Sequence, residues 1–340
     1  VYEDAEFNKC VNYGNISSSV AAGYAAGIAA TALPSKFVEC VNEGQISSGS
    51  SAGIVANCSG KSGGLIYTFD RCQNNGEVTG NGILGGITAV QGATAGNNVC
   101  HYIQCVNNGD ITATATQAVS SSAMAGIAAF YSPGSVFEYC INTGFVTNTK
   151  SVYTAGIAAN NKGSATADYP VVFKGCVNTG NIASSAQQIA GIVAYITNYT
   201  SVDSCLNYGT IEQGIWGAAG ICYTMAGTTS SLTNCINYGD VSVTQYNAGG
   251  IVGNCASTTA VIENCVNVGN ITSTTTAEKN KLAGIAEKAN NYVHPTSAAG
   301  AKDAGLYKIT TDANGHVTAA SVVAKTDITS LGILASSDFV

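Results

Sequence analysis

Thirteen cysteines are the residues of this 340-residue chain best suited to chemistry, and nine of them obey a spacing rule. Cys10, Cys40, Cys72, Cys105, Cys140, Cys176, Cys205, Cys235 and Cys265 follow one another at intervals of 29 to 36 residues. Thiols can bridge, hold soft metals or attack as thiolates. Metal binding calls for CxxC-type pairs or clustered imidazoles. The chain has no CxxC and three His. Bridging along the column is also disfavoured. Equivalent Cβ atoms of stacked strands lie about 4.8 Å apart, whereas a disulfide prefers about 3.8 Å. We therefore expect the nine to be buried packing thiols, Cys being a small hydrophobe. The off-column Cys58, Cys100, Cys222 and Cys255 are freer to pair, and an odd total leaves one unpaired. Cys58 and Cys255 each lie five residues after an anchor glycine, which marks a second inward slot. Free thiols on this scale fit a reducing or anaerobic habitat.

Carboxylates offer a second chemistry. Asp70, Glu138, Asp203 and Glu263 each stand two residues before a column Cys. They fall in alternate repeats, so neighbours are about 10 Å apart. That exceeds the roughly 6.5–9.5 Å of inverting glycosidases. Skipping a repeat keeps like charges from stacking. His101 adjoins Cys100, but adjacent strand residues point to opposite faces, which disfavours a thiol–imidazole pair. There is no GxSxG, and no GxGxxG opening a helix. We assign no catalytic residue, no metal site and no cofactor. The glycosylation patterns at Asn15, Asn57, Asn198 and Asn270 follow from a composition rich in Asn, Ser and Thr.

The elements that must position these groups are written into the repeat. Two residues after each column Cys stands Asn, from Asn12 to Asn267. Two further on is Gly, from Gly14 to Gly269, and two beyond that Ile or Val. Three residues before each Cys is an apolar residue: Phe7, Phe37, Phe69, Tyr102, Phe137, Phe173, Val202, Leu232 and Ile262. A second anchor, small–Gly–Ile, ends at Ile28, Ile54, Ile87, Ile127, Ile157, Ile192, Ile221, Ile251 and Ile285. The apolar runs are short, rich in Ile and Val, and broken by Gly and Asn, which makes them strands and turns. A unit of about 30 residues is too short for a propeller blade and suits one coil of a parallel β-helix. Stacked coils bury what one coil cannot. We expect three short strands per coil and about nine coils, a rod of about 43 Å. Parallel crossovers favour the right hand. Stacked Asn would link amides from coil to coil, Gly would supply positive φ at the turn, and Ile would fill the core.

Composition sets the outer limits. Charged residues make up 10% and apolar residues 46%, with 40 Gly, four Pro and a net charge of −7. That is not a disordered profile. The acidic balance without basic clusters argues against nucleic acid. No apolar run approaches the about 18 residues of a membrane span. The chain opens at Val1 without Met or signal peptide, as a processed product or an excised segment would.

Recognition would fall on what varies. The residue after the stacked Asn runs Tyr13, Glu43, Asn75, Asn108, Thr143, Thr179, Tyr208, Tyr238 and Val268, an outward turn. Tyr208 and Tyr238 lie in adjacent coils and would form a flat aromatic strip joined by Trp216 and Tyr223. Such strips suit glycans or protein partners. The inserts at 92–102, 114–123 and 160–171 are further candidates, since loops on a rigid scaffold carry recognition.

The period stops after Ala286, so the helix is assigned to 1–289, a linker to 290–301 and a small C-terminal β module to 302–340. Asp312–Gly315 is a turn between YKIT and HVTAASVV, hence a β-hairpin. DANGHVTAA at Asp312–Ala320 and KTDITSLGI at Lys325–Ile333 resemble a module of tail-fibre proteins from bacteriophages of Firmicutes. The match covers about 30 residues. The CVNxGxI and AGIVG phrases resemble GLUG-type β-helix repeats of bacterial surface proteins. These resemblances imply an extracellular protein of a virion tail or bacterial cell surface, with a fibre homotrimer as one arrangement. The function expected is non-enzymatic recognition of a cell-surface glycan or protein by the side face or loops. The alternatives are a polysaccharide depolymerase of tailspike type, a lyase or glycoside hydrolase, and a structural spacer in a longer protein.

Overall fold

The computed structural model describes residues 5–20, 23–58, 66–91, 99–114, 122–148, 152–185, 187–214, 216–244, 246–273, 304–312, 317–324, 326, 327 and 330. The chain separates into two compact units, Val1–Leu282 and Ala283–Val340. In the first, one coil runs through β1 (Ala5–Asn8), β2 (Val11–Asn12), β3 (Ile16–Ser17), β4 (Tyr24–Ala26) and β5 (Ala29–Ala32). Each strand pairs in parallel with its equivalent one repeat on: Phe7 with Phe37, Asn12 with Asn42, Ile16 with Ile46. The ladders begun by β1, β2 and β3 hold nine strands among the described residues, and those begun by β4 and β5 hold eight. The unit is an all-β parallel solenoid of about eight turns. The ninth anchor, at Ala283–Ile285, lies outside the described residues, as does the linker assigned to 290–301.

Each coil carries five short strands, not the three expected. The extra breaks come from backbone geometry that spacing alone conceals. The residue before each column Cys adopts the left-handed conformation: Lys9, Glu39, Arg71, Gln104, Tyr139, Gly175, Ser204, Asn234 and Asn264, with φ between 50 and 61°. That conformation costs a non-glycine residue about 1–2 kcal/mol. It resets the strand alternation. Residues three apart would face opposite sides of an unbroken strand. Across the kink, Phe37 and Cys40 are both fully buried, and so are their equivalents as far as Leu232 and Cys235.

Two apolar cores fill the coil. One lies between the β1 and β5 ladders and holds the aromatic column, the thiols and the Ile of the small–Gly–Ile anchor. Its rings stack from Phe7 through Phe37, Phe69, Tyr102 and Phe137 to Phe173 at 4.6–5.2 Å, within 11° of parallel. The other lies between the β3 and β4 ladders and holds the Ile/Val column after the turn glycine.

The Asn column joins the two. Asn12 Nδ2 donates to Asn42 Oδ1 at 2.7 Å, and the chain of amides continues through Asn237 to Asn267. The second amide hydrogen of each goes to the carbonyl of the turn glycine in its own coil, as from Asn142 to Gly144 at 3.0 Å. On the far wall the anchor glycines touch these amides. A Cβ on Gly126 would lie 2.2 Å from Asn142 Oδ1. The two sequence anchors therefore meet face to face across the coil. The turn glycines do not supply positive φ as expected. They are needed because coils rise so closely: a Cβ on Gly109 would lie 2.0 Å from the Gly76 carbonyl oxygen.

In the second unit, Tyr307–Thr311 pairs antiparallel with Val317–Val322, Tyr307 opposite Val322. This is the expected hairpin. Residues 313–316 of its turn, His316 among them, lie outside the described residues. Lys308 Nζ donates to Asp327 Oδ1 at 2.8 Å.

Two substitutions test this scaffold. Asn142→Ala removes two donated bonds and strands a buried donor on Asn107, and should lower unfolding free energy by about 2–4 kcal/mol. Gly109→Ala should cost about 3 kcal/mol through overpacking, while Gln104→Gly, which relieves a left-handed residue, should cost nothing. Urea unfolding with a fitted m-value checks all three.

Candidate functional site

The inward Cys, Asn, Gly and anchor Ile columns repeat one residue type, so they carry little that distinguishes one coil from another, and the outer columns are the place to look for it. The residue between Cys and Asn faces out. It is apolar in eight of nine coils: Val11, Val41, Val106, Ile141, Val177, Leu206, Ile236 and Val266. Only the end members, Val11 and Val266, are strongly exposed. This half-buried stripe was legible from its period but was not read. Its flanks change along the solenoid. In the first three coils they carry charge, with Arg71 bonded to Glu39 at 3.1 Å and to Asp70 at 3.0 Å. Later coils carry exposed aromatics, including Tyr139, Phe145, Tyr208 and Tyr238.

The structure separates the four expected recognition residues. Tyr208 and Tyr238 do stack, with centroids 4.7 Å apart and planes 3° from parallel. Their faces cover each other, so they present edges and hydroxyls to solvent as a ridge rather than a flat strip. The in-register rise of the coils fixes this orientation. Trp216 is 53% exposed and its partner is Tyr246, at 6.0 Å and 42°. Tyr246 was missed, although it follows Trp216 by 30 residues, one coil. Tyr223 is only 5% exposed. Its ring lies over Gly253, where a Cβ would come within 2.4 Å, and its hydroxyl donates to the Trp216 carbonyl at 3.1 Å. It braces the loop that carries Trp216 and offers no free face.

The carboxylates stand where expected, in one outward register. The order is Asp70, Ile103, Glu138, Lys174, Asp203, Thr233, Glu263. A strand separates every neighbouring pair. Lys174 stands between Glu138 and Asp203. Thr233 Oγ1 donates to Asp203 at 2.6 Å and Asn234 Nδ2 at 2.8 Å. Those bonds hold the Asp203 carboxyl below its usual range. No two of these carboxylates stand on adjacent strands, so they do not converge on one point.

All thirteen cysteines are unbridged, and those of the column are buried except at its two ends. Cys72 Sγ donates to the Phe37 carbonyl at 3.3 Å and Cys105 Sγ to Phe69 at 3.2 Å. A thiol suits the slot because it is small and apolar yet gives a weak bond to the coil below. Burial pushes the Cys58, Cys140 and Cys205 thiols upward in pKa. Cys58 fills an inward slot as expected. Cys255, in the same register column, is exposed, because it lies on the last described strand of its ladder. Cys100 is buried and His101 half-exposed, on opposite faces of their strand. Among the described residues no cluster of His, Cys, Asp and Glu is arranged to hold a metal.

The insert at 160–171 is described throughout and builds a cleft against the outer face of the β1 ladder. It has a volume of about 280 Å³ and is lined by Ile66, Val99, His101, Val136, Asp168 and Tyr169 among others. Burial holds the His101 imidazole below its ordinary pKa, with Glu138 opposing the shift. The inserts at 92–102 and 114–123 fall mostly outside the described residues. No helix among the described residues is long and apolar enough to cross a membrane.

The fold thus defines a β-solenoid repeat protein. Compared with known proteins, the chain matches no family model, no curated protein and no solved structure.

Thiol reactivity tests the burial pattern. At neutral pH Ellman's reagent should label Cys255 first, with the fully buried column thiols at least about tenfold slower until the protein unfolds. Cys255→Ser should remove the fast phase.

Proposed function

We propose that the solenoid is a non-enzymatic recognition element of a cell-surface or virion-tail protein, which binds a surface glycan or protein through one side face and its inserts. The observation that carries this reading is the contrast between columns. The Asn, Gly, Cys and anchor Ile positions are kept through the stack, while the outward positions that flank the half-buried apolar stripe change from coil to coil. Packing demands the first and is indifferent to the second. Exposed aromatics concentrated on the later coils are the kind of surface that partners cover. The resemblance to tail-fibre and GLUG-type segments agrees with this reading and rests on motif residues alone.

The test is binding of purified protein to intact bacterial cells and to a broad glycan array. Wild type should bind at least one such surface. Tyr208→Ala with Tyr238→Ala should weaken that binding at least about tenfold if the ridge is a hot spot. Unchanged binding would remove the ridge from the site. Release of reducing sugar or unsaturated oligosaccharide from a capsule would replace the reading with a depolymerase. A folded protein that binds neither cells nor glycans would leave a structural spacer.

A further inference from the structure

The cleft beside the 160–171 insert is the most built feature on the outer surface. Its floor is apolar: Ile66 and Val99 in register, then Val136 and Val172. Gly134 takes φ +87°, a conformation that favours glycine, and a Cβ there would lie 3.1 Å from Val99 Cγ2 and 3.4 Å from the Tyr169 ring. The insert is tied down on both sides. Asn161 Nδ2 donates to Thr197 Oγ1 at 3.1 Å, and Ala165 N to the same oxygen at 3.2 Å. Tyr169 N donates to the Thr166 carbonyl at 3.1 Å and Val171 N to the Tyr199 carbonyl at 3.0 Å. The wall carrying Asp168 and Tyr169 is therefore pre-formed, which reduces the ordering cost of binding.

Charge decides the occupant. Asp168 makes no ion pair or hydrogen bond among the described residues. Among the described residues, no Lys or Arg lines the cleft. Lys174 does not line the cleft and stands in register between Glu138 and Asp203. His101 makes no hydrogen bond among the described residues, and burial lowers its pKa, which disfavours its charged form, with Glu138 opposing. The cleft is smaller than the about 300–1,000 Å³ of pockets that enclose drug-sized molecules. It suits one side chain. An aliphatic stem would cover the valine floor while its head reached the carboxylate and the tyrosine face.

We propose that this cleft receives a lysine side chain of a partner protein, its stem on Val99, Val136 and Val172 and its ammonium between Asp168 and Tyr169. The inference rests on the recognition reading above and narrows the partner to a protein.

The probes are Nα-acetyl-lysine methylamide and its uncharged analogue Nα-acetyl-norleucine methylamide, titrated into the full chain and followed by NMR. The lysine probe should bind at least about tenfold tighter than the norleucine probe and weaken as salt rises. Asp168→Asn should abolish that difference. Tyr169→Ala should weaken binding while Tyr169→Phe, which keeps the ring, restores it. Thermal unfolding of each variant separates lost binding from lost folding. Equal binding of the two probes, binding untouched by Asp168→Asn, no binding of either, or preferential binding of methyl pyranosides would each overturn the proposal. If the cleft fails in this way while cell binding persists, recognition stands and lies elsewhere. If the lysine probe binds as expected but no cell or glycan is bound, the surface reading alone falls.

Discussion

The asparagine amides fix the geometry of everything else in the solenoid. Each Nδ2 has two hydrogens and spends one on the coil beside it and one on its own turn. Each Oδ1 receives the amide from the coil before. A buried amide can be satisfied in this way only if coils stay in register along the whole column. Register in turn brings like residue over like residue. The glycine column then follows from the close approach of successive turns, and the anchor glycines follow from amides pressed against the opposite wall. The phenyl stack and the thiol file are consequences of the same translation. They repeat because the space they fill repeats.

That translation explains why the chemistry-bearing residues take the roles they do. A thiol in every coil looks like a reagent in the sequence. In the fold it is a small apolar filler with one weak bond to a carbonyl below, shielded from solvent. These four carboxylates fall into a single register but never onto adjacent strands, and two have a local partner: Arg71 for Asp70, Thr233 and Asn234 for Asp203. The stack therefore disperses charge along its length. What departs from the repeat is confined to the outer columns and to the insert, where a coil can change without disturbing its neighbours.

The same constraint governs the aromatic surface. Stacked side chains on in-register strands turn their faces toward each other, as Tyr208 and Tyr238 do, and so give up the face that a sugar ring would use. Other exposed rings stand where the local backbone leaves the repeat. Tyr169 does so on the insert, and Trp216 does so on the loop braced by Tyr223.

The period, the inward columns and the all-β solenoid were determined by the sequence alone, since a translational repeat is one-dimensional information. Cys40, Asn42, Gly44 and Ile46 alternate by twos, and the eye can follow that pattern without coordinates. Only the tertiary structure decided how one coil closes. The left-handed residue before each Cys has no common side chain, because Lys9, Glu39, Gln104 and Tyr139 all adopt it under the pull of the stacked strands. That kink separates the first strand of each coil from the second, one of the breaks that give five strands where three were expected. The reason for the turn glycine was likewise hidden, as it lies in the carbonyl of the next coil rather than in its own φ. So was the burial of Tyr223, whose ring is covered through glycines of other segments. Spacing along a chain records what recurs, while side-chain orientation and contact across the coil depend on residues distant in sequence.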